Sequence, residues 1–242
     1  MGIIGPNGSG KTTLLRAITK VLKPQRGEVL FEEKNIWRME FKELAQKMAF
    51  VSQTPQVGLN MTVEEFVLLG RIPYFRRFQF LETRHDEEIA RKAMVLTDIF
   101  ELRKRFIGEL SGGERQLTVI ACALAQEPKL ILLDEPTAHL DIAHQVGILD
   151  LIKRLNREKG LMVIIVLHDL NLASEYCNRL LLVDNGRIHK IGTPQEVLTY
   201  QVIEEVYKTT VIVRENPISL KPYVFVVSEE EKQKKGKSYF LR

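Results

Sequence analysis

The chain has 242 residues, 45% hydrophobic and 27% charged, enough to bury one full core with a subdomain. Thirty-five Lys and Arg against 31 Asp and Glu leave a formal charge of +4, which tolerates an anionic ligand without demanding one. Two cysteines, Cys122 and Cys177, argue against a disulfide scaffold and for a reducing compartment. No apolar run approaches the ~20 residues of a spanning helix, and the start lacks the pattern of a signal peptide, so secreted and integral-membrane readings are excluded.

Met1-Gly2-Ile3-Ile4 reads as the end of a buried strand running into a glycine-rich turn. Leu14, Leu15, Ile18, Val21 and Leu22 share a helical face, which predicts a helix over 12–22 with Pro24 just beyond. A short strand is expected over 28–31. Phe41, Leu44, Ala45 and Met48 repeat at helical spacing, and 49–51 reads as another strand. From 62 to about 126 the pattern is mostly helical: Thr62-Val63-Glu64-Glu65 has capping-box spacing, and Ile89, Ala90, Ala93 and Leu96 mark a further face. Strands return over 130–133, 161–167 and 180–183. Continuously apolar strands alternating with helices predict an α/β fold, its mostly parallel sheet covered on both faces. The expected organisation is a core over 1–208, a helical insertion at about 58–128, a strand pair over 209–228 around Asn216-Pro217, and a charged tail over 229–242. The charge run 229–237 reads as a solvated, mobile stretch without function.

Three motifs carry chemistry. Gly5-Pro6-Asn7-Gly8-Ser9-Gly10-Lys11-Thr12 matches G-x-x-x-x-G-K-[ST] between a strand end and an amphipathic helix. Its glycines let consecutive N–H groups turn inward around phosphate oxygens, and the helix N-terminus adds its positive end. Lys11 would reach the β- and γ-phosphates and Thr12 would ligate Mg²⁺, so a nucleoside triphosphate is expected here. Leu130-Ile131-Leu132-Leu133-Asp134-Glu135-Pro136 is an apolar strand ending in two carboxylates. Asp134 suits Mg²⁺ held through its water shell, and Glu135 is placed to orient or deprotonate a water. In Leu110-Ser111-Gly112-Gly113-Glu114-Arg115-Gln116, Ser111 and Glu114 have capping-box spacing. The two glycines leave the first N–H groups bare, a second anion-binding helix terminus.

These residues resemble the ATPase subunits of ATP-binding-cassette (ABC) transporters. The phosphate loop, LSGGERQ, LILLDEP, Ala138-His139-Leu140-Asp141 and Val166-Leu167-His168-Asp169 stand in that family's order over nearly the whole chain. The resemblance implies a P-loop NTPase core with an inserted helical subdomain and a small C-terminal β extension. It implies that ATP contacts Gly5 to Thr12 and Thr13, and across a head-to-tail dimer Ser111, Gly112, Gly113 and Asp141. It makes Gln53 a glutamine that touches Mg²⁺ and senses the membrane partner, and His168 the switch histidine at the γ-phosphate. Glu135, His168 and Gln53 are then the catalytic set, and Thr12, Gln53 and Asp134 the Mg²⁺ set.

The looser patterns Gly70-Arg71-Ile72-Pro73, Thr137 to Asp141, Gly192-Thr193-Pro194 with Glu196-Val197-Leu198, and Val206-Tyr207 resemble importers of ferric siderophores, haem and cobalamin. The implied partners are a second copy, integral-membrane permease subunits and, indirectly, an external binding protein, with no nucleic acid; the implied location is the cytoplasmic membrane face. Tyr74-Phe75-Arg76-Arg77-Phe78 is expected to pack within the helical insertion or border the permease. Leu117 and Cys122 stand where many members have Arg, which implies a packing difference only. An exporter subunit, a DNA-maintenance ATPase and a translation-factor ATPase are the alternatives. The DNA-maintenance type separates phosphate loop and signature by long coiled coils, whereas Lys11 and Ser111 lie 100 positions apart here; the translation type joins two cassettes. The family also has about two strands before the phosphate loop, with an aromatic residue that stacks on adenine. The expectation is therefore an upstream start, with Met1 to Ile4 short of partner strands; a fragment with intact motifs and no activity is the remaining possibility.

Overall fold

Burial of the apolar start sets the register of the strands around it. In a computed structural model, which describes residues 1–53, 60–76, 79 and 81–235 (the backbone alone for 233–235), β1 (Gly2–Ile4) is wholly buried. The chain packs as two compact units, one of Met1–Lys11 with the residues from Val166 onward, the other of Thr12–Ile165.

The larger unit opens with α1 (Lys11–Ile18), shorter than the predicted 12–22. Lys20 takes a left-handed conformation (φ 62°), and the Val21 N–H donates to Arg16 O at 2.9 Å, closing the helix in a Schellman turn. Lysine replaces the usual glycine there because its buried ammonium donates to Met39 O at 2.5 Å and lies 4.4 Å from the Phe41 ring centre. Val21 and Leu22 are consequently exposed. The predicted strand over 28–31 shrinks to β2 (Leu30–Phe31), paired with β3 (Lys34–Asn35). α2 (Phe41–Ala45) ends before Met48, which belongs instead to β4 (Met48–Val51).

Next come α3 (Val63–Leu68), α4 (Arg84–Leu96) and α5 (Gly112–Ala125), the predicted helical block. The capping box of Thr62 and Glu65 is present in both directions. Val63, Val67, Ala90, Ala93, Met94, Ala121 and Ala125 form one core, in which the alanines let the helices approach closely. Gly70 carries this furthest: a Cβ there would lie 2.2 Å from Cys122 O. Arg71 then threads between the helices with its side chain only 2% exposed. It donates to Asp86 Oδ1 at 3.0 Å, Ala125 O at 2.7 Å and Glu127 Oε2 at 2.8 Å, and stacks on Tyr74. Desolvation pushes the Asp86 carboxyl up, but hydrogen bonds from Thr83 and Arg71 outweigh it and hold it below its ordinary range. Tyr74, Phe75 and Arg76 of the aromatic-basic stretch are described; Arg77 and Phe78 lie outside the described residues. β5 (Leu130–Asp134) runs parallel to β4, and after α6 (Ile142–Lys159) β6 (Met162–Val166) lies beside β5.

In the smaller unit, α7 (Leu170–Tyr176) leads to β7 (Leu180–Asp184) and β8 (Arg187–Gly192). β1 runs parallel to β7 with Ile3 opposite Leu181, and the Leu167 N–H donates to Ile3 O at 3.1 Å. β1 thus has backbone partners on both sides, contrary to the expectation from sequence. β8 returns antiparallel through Asn185 and Gly186, both at positive φ, a hairpin that the apolar pattern misses. α8 (Pro194–Val197) and α9 (Tyr200–Tyr207) precede β9 (Val211–Glu215) and β10 (Pro222–Val226), the expected antiparallel pair. Asn171 ties α7 to that pair, accepting from the Val224 N–H at 2.7 Å, and the Ser174 hydroxyl donates to Pro222 O at 2.7 Å. The charge run expected to be a mobile tail forms α10 (Glu229–Lys235), whose first-turn Glu229, Glu230 and Glu231 complement the helix dipole. Among the described residues no helix is long and apolar enough to cross a membrane, and both cysteines are free.

Removing Arg71 leaves Asp86 charged and buried. Arg71→Ala should therefore cost about 3–5 kcal/mol in urea unfolding, the usual loss when one member of a buried pair is removed. Arg71→Ala with Asp86→Ala should cost less than the two separate losses added. A single-variant loss under about 1 kcal/mol would show that the pair does not clamp these helices.

Candidate functional site

The phosphate loop, Gln53, Asp134, Glu135 and His168 follow carboxyl ends of strands, where α/β folds bind ligands, and Ser111 and Asp141 stand at helix N-termini. In the smaller unit β1 ends in Gly5, whose Cβ would lie 2.1 Å from Val183 O of β7, so no other residue fits. Gly8 and Gly10 have φ of 76° and 105° and turn the loop back on itself, and nothing lies within 4 Å of a Cβ built on Gly8. Lys11 is buried and donates to Gly5 O at 2.8 Å and Pro6 O at 2.9 Å, which closes the loop into a ring of backbone. The Gly186 N–H donates to Ser9 O at 2.9 Å, so the β7–β8 turn braces the loop from outside. His168 follows Leu167, the residue bonded to Ile3, and so leaves its strand at the same end as the phosphate loop. Asp169 then caps α7, accepting from the Asn171 and Leu172 N–H groups.

Tyr207 is a contact that sequence reasoning missed. Its half-buried phenol oxygen accepts the Gly5 N–H; burial raises its pKa to about 12, with that hydrogen bond opposing the rise. Val206-Tyr207 had only been read as a family pattern, and the structure gives it a physical role at the base of the loop.

In the larger unit, Thr12 and Thr13 occupy the first turn of α1, Thr12 half-buried and Thr13 exposed. Asp134 ends β5 and is 3% exposed. Glu135 follows at φ 53°, a left-handed conformation that turns the chain off the strand. Gln53, two residues past β4, donates from Nε2 to Glu135 Oε2 at 2.6 Å. The neighbouring parallel strands thus bring together the carboxylate and the amide that sequence placed 82 positions apart.

Ser111 caps α5 as predicted: its hydroxyl accepts from the Glu114 N–H, and its own N–H donates to Glu114 Oε2 at 2.8 Å. Those bonds hold the Glu114 carboxyl below the ordinary range. One expectation needs correcting. Gly112 is open apart from Leu140 Cδ2 at 3.4 Å, but Gly113 is not simply bare: a Cβ there would meet the His144 ring at 2.0 Å. Asp141 caps α6, accepting the His144 N–H at 2.9 Å, and its other oxygen lies 2.8 Å from His144 Nδ1.

In the smaller unit the donors of the loop fit phosphate oxygens, and in the larger unit the oxygens of Thr12 and Asp134 fit Mg²⁺. Ser9 Oγ is buried inside the phosphate loop without a hydrogen-bond partner, and a phosphate oxygen is a group that would satisfy it. Thr12 and Asp134 supply hard oxygen donors. Among the described residues no three His, Cys, Asp or Glu cluster to hold a metal ion.

The arrangement is that of a phosphate-loop nucleotide-binding protein. Residues 1–138 match the family described as ABC transporter. Over 235 residues the chain is 42% identical to the uncharacterized ABC transporter ATP-binding protein YvrA of Bacillus subtilis (strain 168), covering 97% of this chain and 53% of YvrA. It is 40% identical over 225 residues to the ferric enterobactin transport ATP-binding protein FepC of Escherichia coli (strain K12), covering 92% of this chain and 82% of FepC. Among solved structures, an ABC transporter in an inward-facing conformation superposes with a TM-score of 0.83 at 28% identity, covering 95% of this chain and 87% of that one. The chain belongs to the ABC transporter family. It spans about half the length of YvrA and most of FepC.

Lys11→Ala should lower affinity for Mg²⁺-ATP by about ten-fold or more, the effect of losing a charge-assisted hydrogen bond. A fluorescent ATP analogue titrated against both proteins measures it, and unchanged affinity would remove Lys11 from the phosphate site.

Proposed function

We propose that the protein is the ATP-binding and ATP-hydrolysing subunit of a membrane importer for metal chelates of the ferric siderophore, haem or cobalamin type. The observation that carries the ATPase reading is the Gln53–Glu135 contact of 2.6 Å at the ends of paired strands, one residue from buried Asp134. A carboxylate held there by an amide is oriented to take a proton from water, while Asp134 and Thr12 would hold Mg²⁺. When bound, ATP supplies the phosphoanhydride bond that breaks. The loop N–H groups, Ser9 and Lys11 bind and neutralise phosphate charge, and His168 would address the terminal phosphate.

Ser111 to Gly113 form a second phosphate-binding helix end, exposed at Ser111 and Gly112. Two copies paired head to tail would close this end over the nucleotide bound by the other copy's Lys11 loop. Closure assembles the site and hydrolysis reopens it, a cycle that integral-membrane permease subunits would convert into access on alternate sides. An external binding protein would deliver the chelate, and the subunit would sit on the cytoplasmic membrane face. The likeness to FepC supports the metal-chelate class, as do the Gly70-Arg71 and Val206-Tyr207 patterns.

Glu135→Gln keeps the shape but cannot accept a proton. It should retain ATP binding, lose turnover by roughly 10²–10⁴-fold and accumulate an ATP-bound dimer. Turnover within a few-fold of the parent would remove Glu135 as the base. For the substrate class, cells lacking the gene should fail to take up radio-iron presented as ferric siderophore, and the Glu135→Gln protein should not restore uptake. Normal uptake without the gene, tested in turn with haem and cobalamin, would overturn the importer reading.

A further inference from the structure

His144 is absorbed by none of the motifs, yet it touches two of them. Its ring packs against the Gly113 backbone, so closely that an alanine Cβ would stand 2.0 Å from Cδ2 and 2.7 Å from Cγ and Nε2. Its Nδ1 lies 2.8 Å from Asp141 Oδ2, and its backbone N–H donates to Asp141 Oδ1 at 2.9 Å. These bonds hold the Asp141 carboxyl below its ordinary range, so the carboxylate accepts and Nδ1 carries the proton. Leu140, on the other side of Asp141, packs its Cδ2 3.4 Å from the Cβ position of Gly112. The turn that carries Asp141 is thus fastened to the first turn of α5 at two points, one apolar and one through the imidazole.

We infer that His144 is a positioning residue, which locks Ser111 to Gly113 and Asp141 into one rigid face for engaging the nucleotide on a second copy of this chain. The inference rests on the head-to-tail pairing proposed above. Pre-ordering matters because each segment is short and solvent-facing: left independent, each would lose conformational freedom on closing over the nucleotide. It also gives Gly113 a role that phosphate access alone does not. Gly113 leaves free the space that the ring fills while it is bonded to Asp141.

The test uses the full chain carrying Glu135→Gln, with ATP-driven dimerisation followed by light scattering and nucleotide affinity of the monomer by a fluorescent ATP analogue. His144→Ala should weaken dimerisation by about ten-fold or more, the effect of losing a hydrogen bond to a charged group, with monomer affinity for nucleotide unchanged. His144→Asn, whose amide can seat on the glycine and donate to Asp141, should recover most of the loss. In nucleotide-free protein, Gly113→Ala should lower the melting temperature or prevent folding, and adding His144→Ala should restore it, because the clashing ring is gone. Ser111→Arg serves as the control and should abolish dimerisation. Normal dimerisation of Ser111→Arg would overturn the head-to-tail pairing and this inference with it. If Ser111→Arg fails to dimerise but His144→Ala dimerises normally, the inference alone is overturned. It is also overturned if His144→Ala does not relieve the Gly113→Ala defect.

Discussion

The closeness of β1 to β7 is the constraint on which the rest depends. At Gly5 the chain passes so near Val183 O that a Cβ would be 2.1 Å away. A larger residue would push the strand end outward and carry the phosphate loop with it. With glycine in place the loop starts from a fixed, buried rung and closes over the Lys11 ammonium. Tyr207 at the Gly5 N–H and Gly186 at Ser9 O then brace that geometry from 202 and 177 positions further along the chain. A site that must hold several phosphate oxygens gains from rigidity fixed before binding, since ordering a loose loop would be subtracted from affinity.

The same device recurs where helices meet. Gly70 brings one backbone against Cys122 O, and Arg71 follows with its guanidinium sealed among Asp86, Ala125 O and Glu127. Burying that charge is tolerable because three acceptors and the Tyr74 ring surround it. Gly113 does likewise for an imidazole. In these three places a missing side chain is a contact made by something else, which is why a motif read from sequence as an open anion site also proved to be a packing surface.

Legibility from sequence followed the periodicity of apolar residues. β5 and β7 were plain because they are buried runs, β6 because its residues are apolar throughout although only Ile165 and Val166 are buried, and α3, α4 and α5 because their caps and faces agree. β8 was missed although Asn185-Gly186 is a strong hairpin signal. Arg187, Ile188 and His189 are exposed, so no apolar alternation drew attention to the strand. The end of α1 was misplaced because lysine, held by Met39 O, fills a left-handed position where glycine would have announced the stop. The phosphate loop and the signature cap were legible because their residue types dictate local geometry. Tyr207 and His144 were not: Tyr207 meets Gly5 and the His144 ring meets Gly113, neighbours remote in sequence that no spacing rule marks, although the bond of His144 to Asp141 is local.

Glu135 shows how sequence and strain combine at the site. An acidic pair after a strand is often the cap of a helix, but a residue at φ 53° does not have the extended backbone of one. Glycine or asparagine would sit there with less strain, and a non-glycine side chain in the left-handed region costs on the order of 1–3 kcal/mol. That cost is carried by the surroundings: Leu130 to Asp134 are all buried on one side, and Pro136 and Thr137 are buried on the other. The turn is held from both ends, so the backbone cannot relax by sliding. What the strain secures is direction. The carboxylate leaves the strand end toward Gln53 rather than continuing along β5, so a carboxylate meets an amide where a further rung of the sheet would otherwise stand.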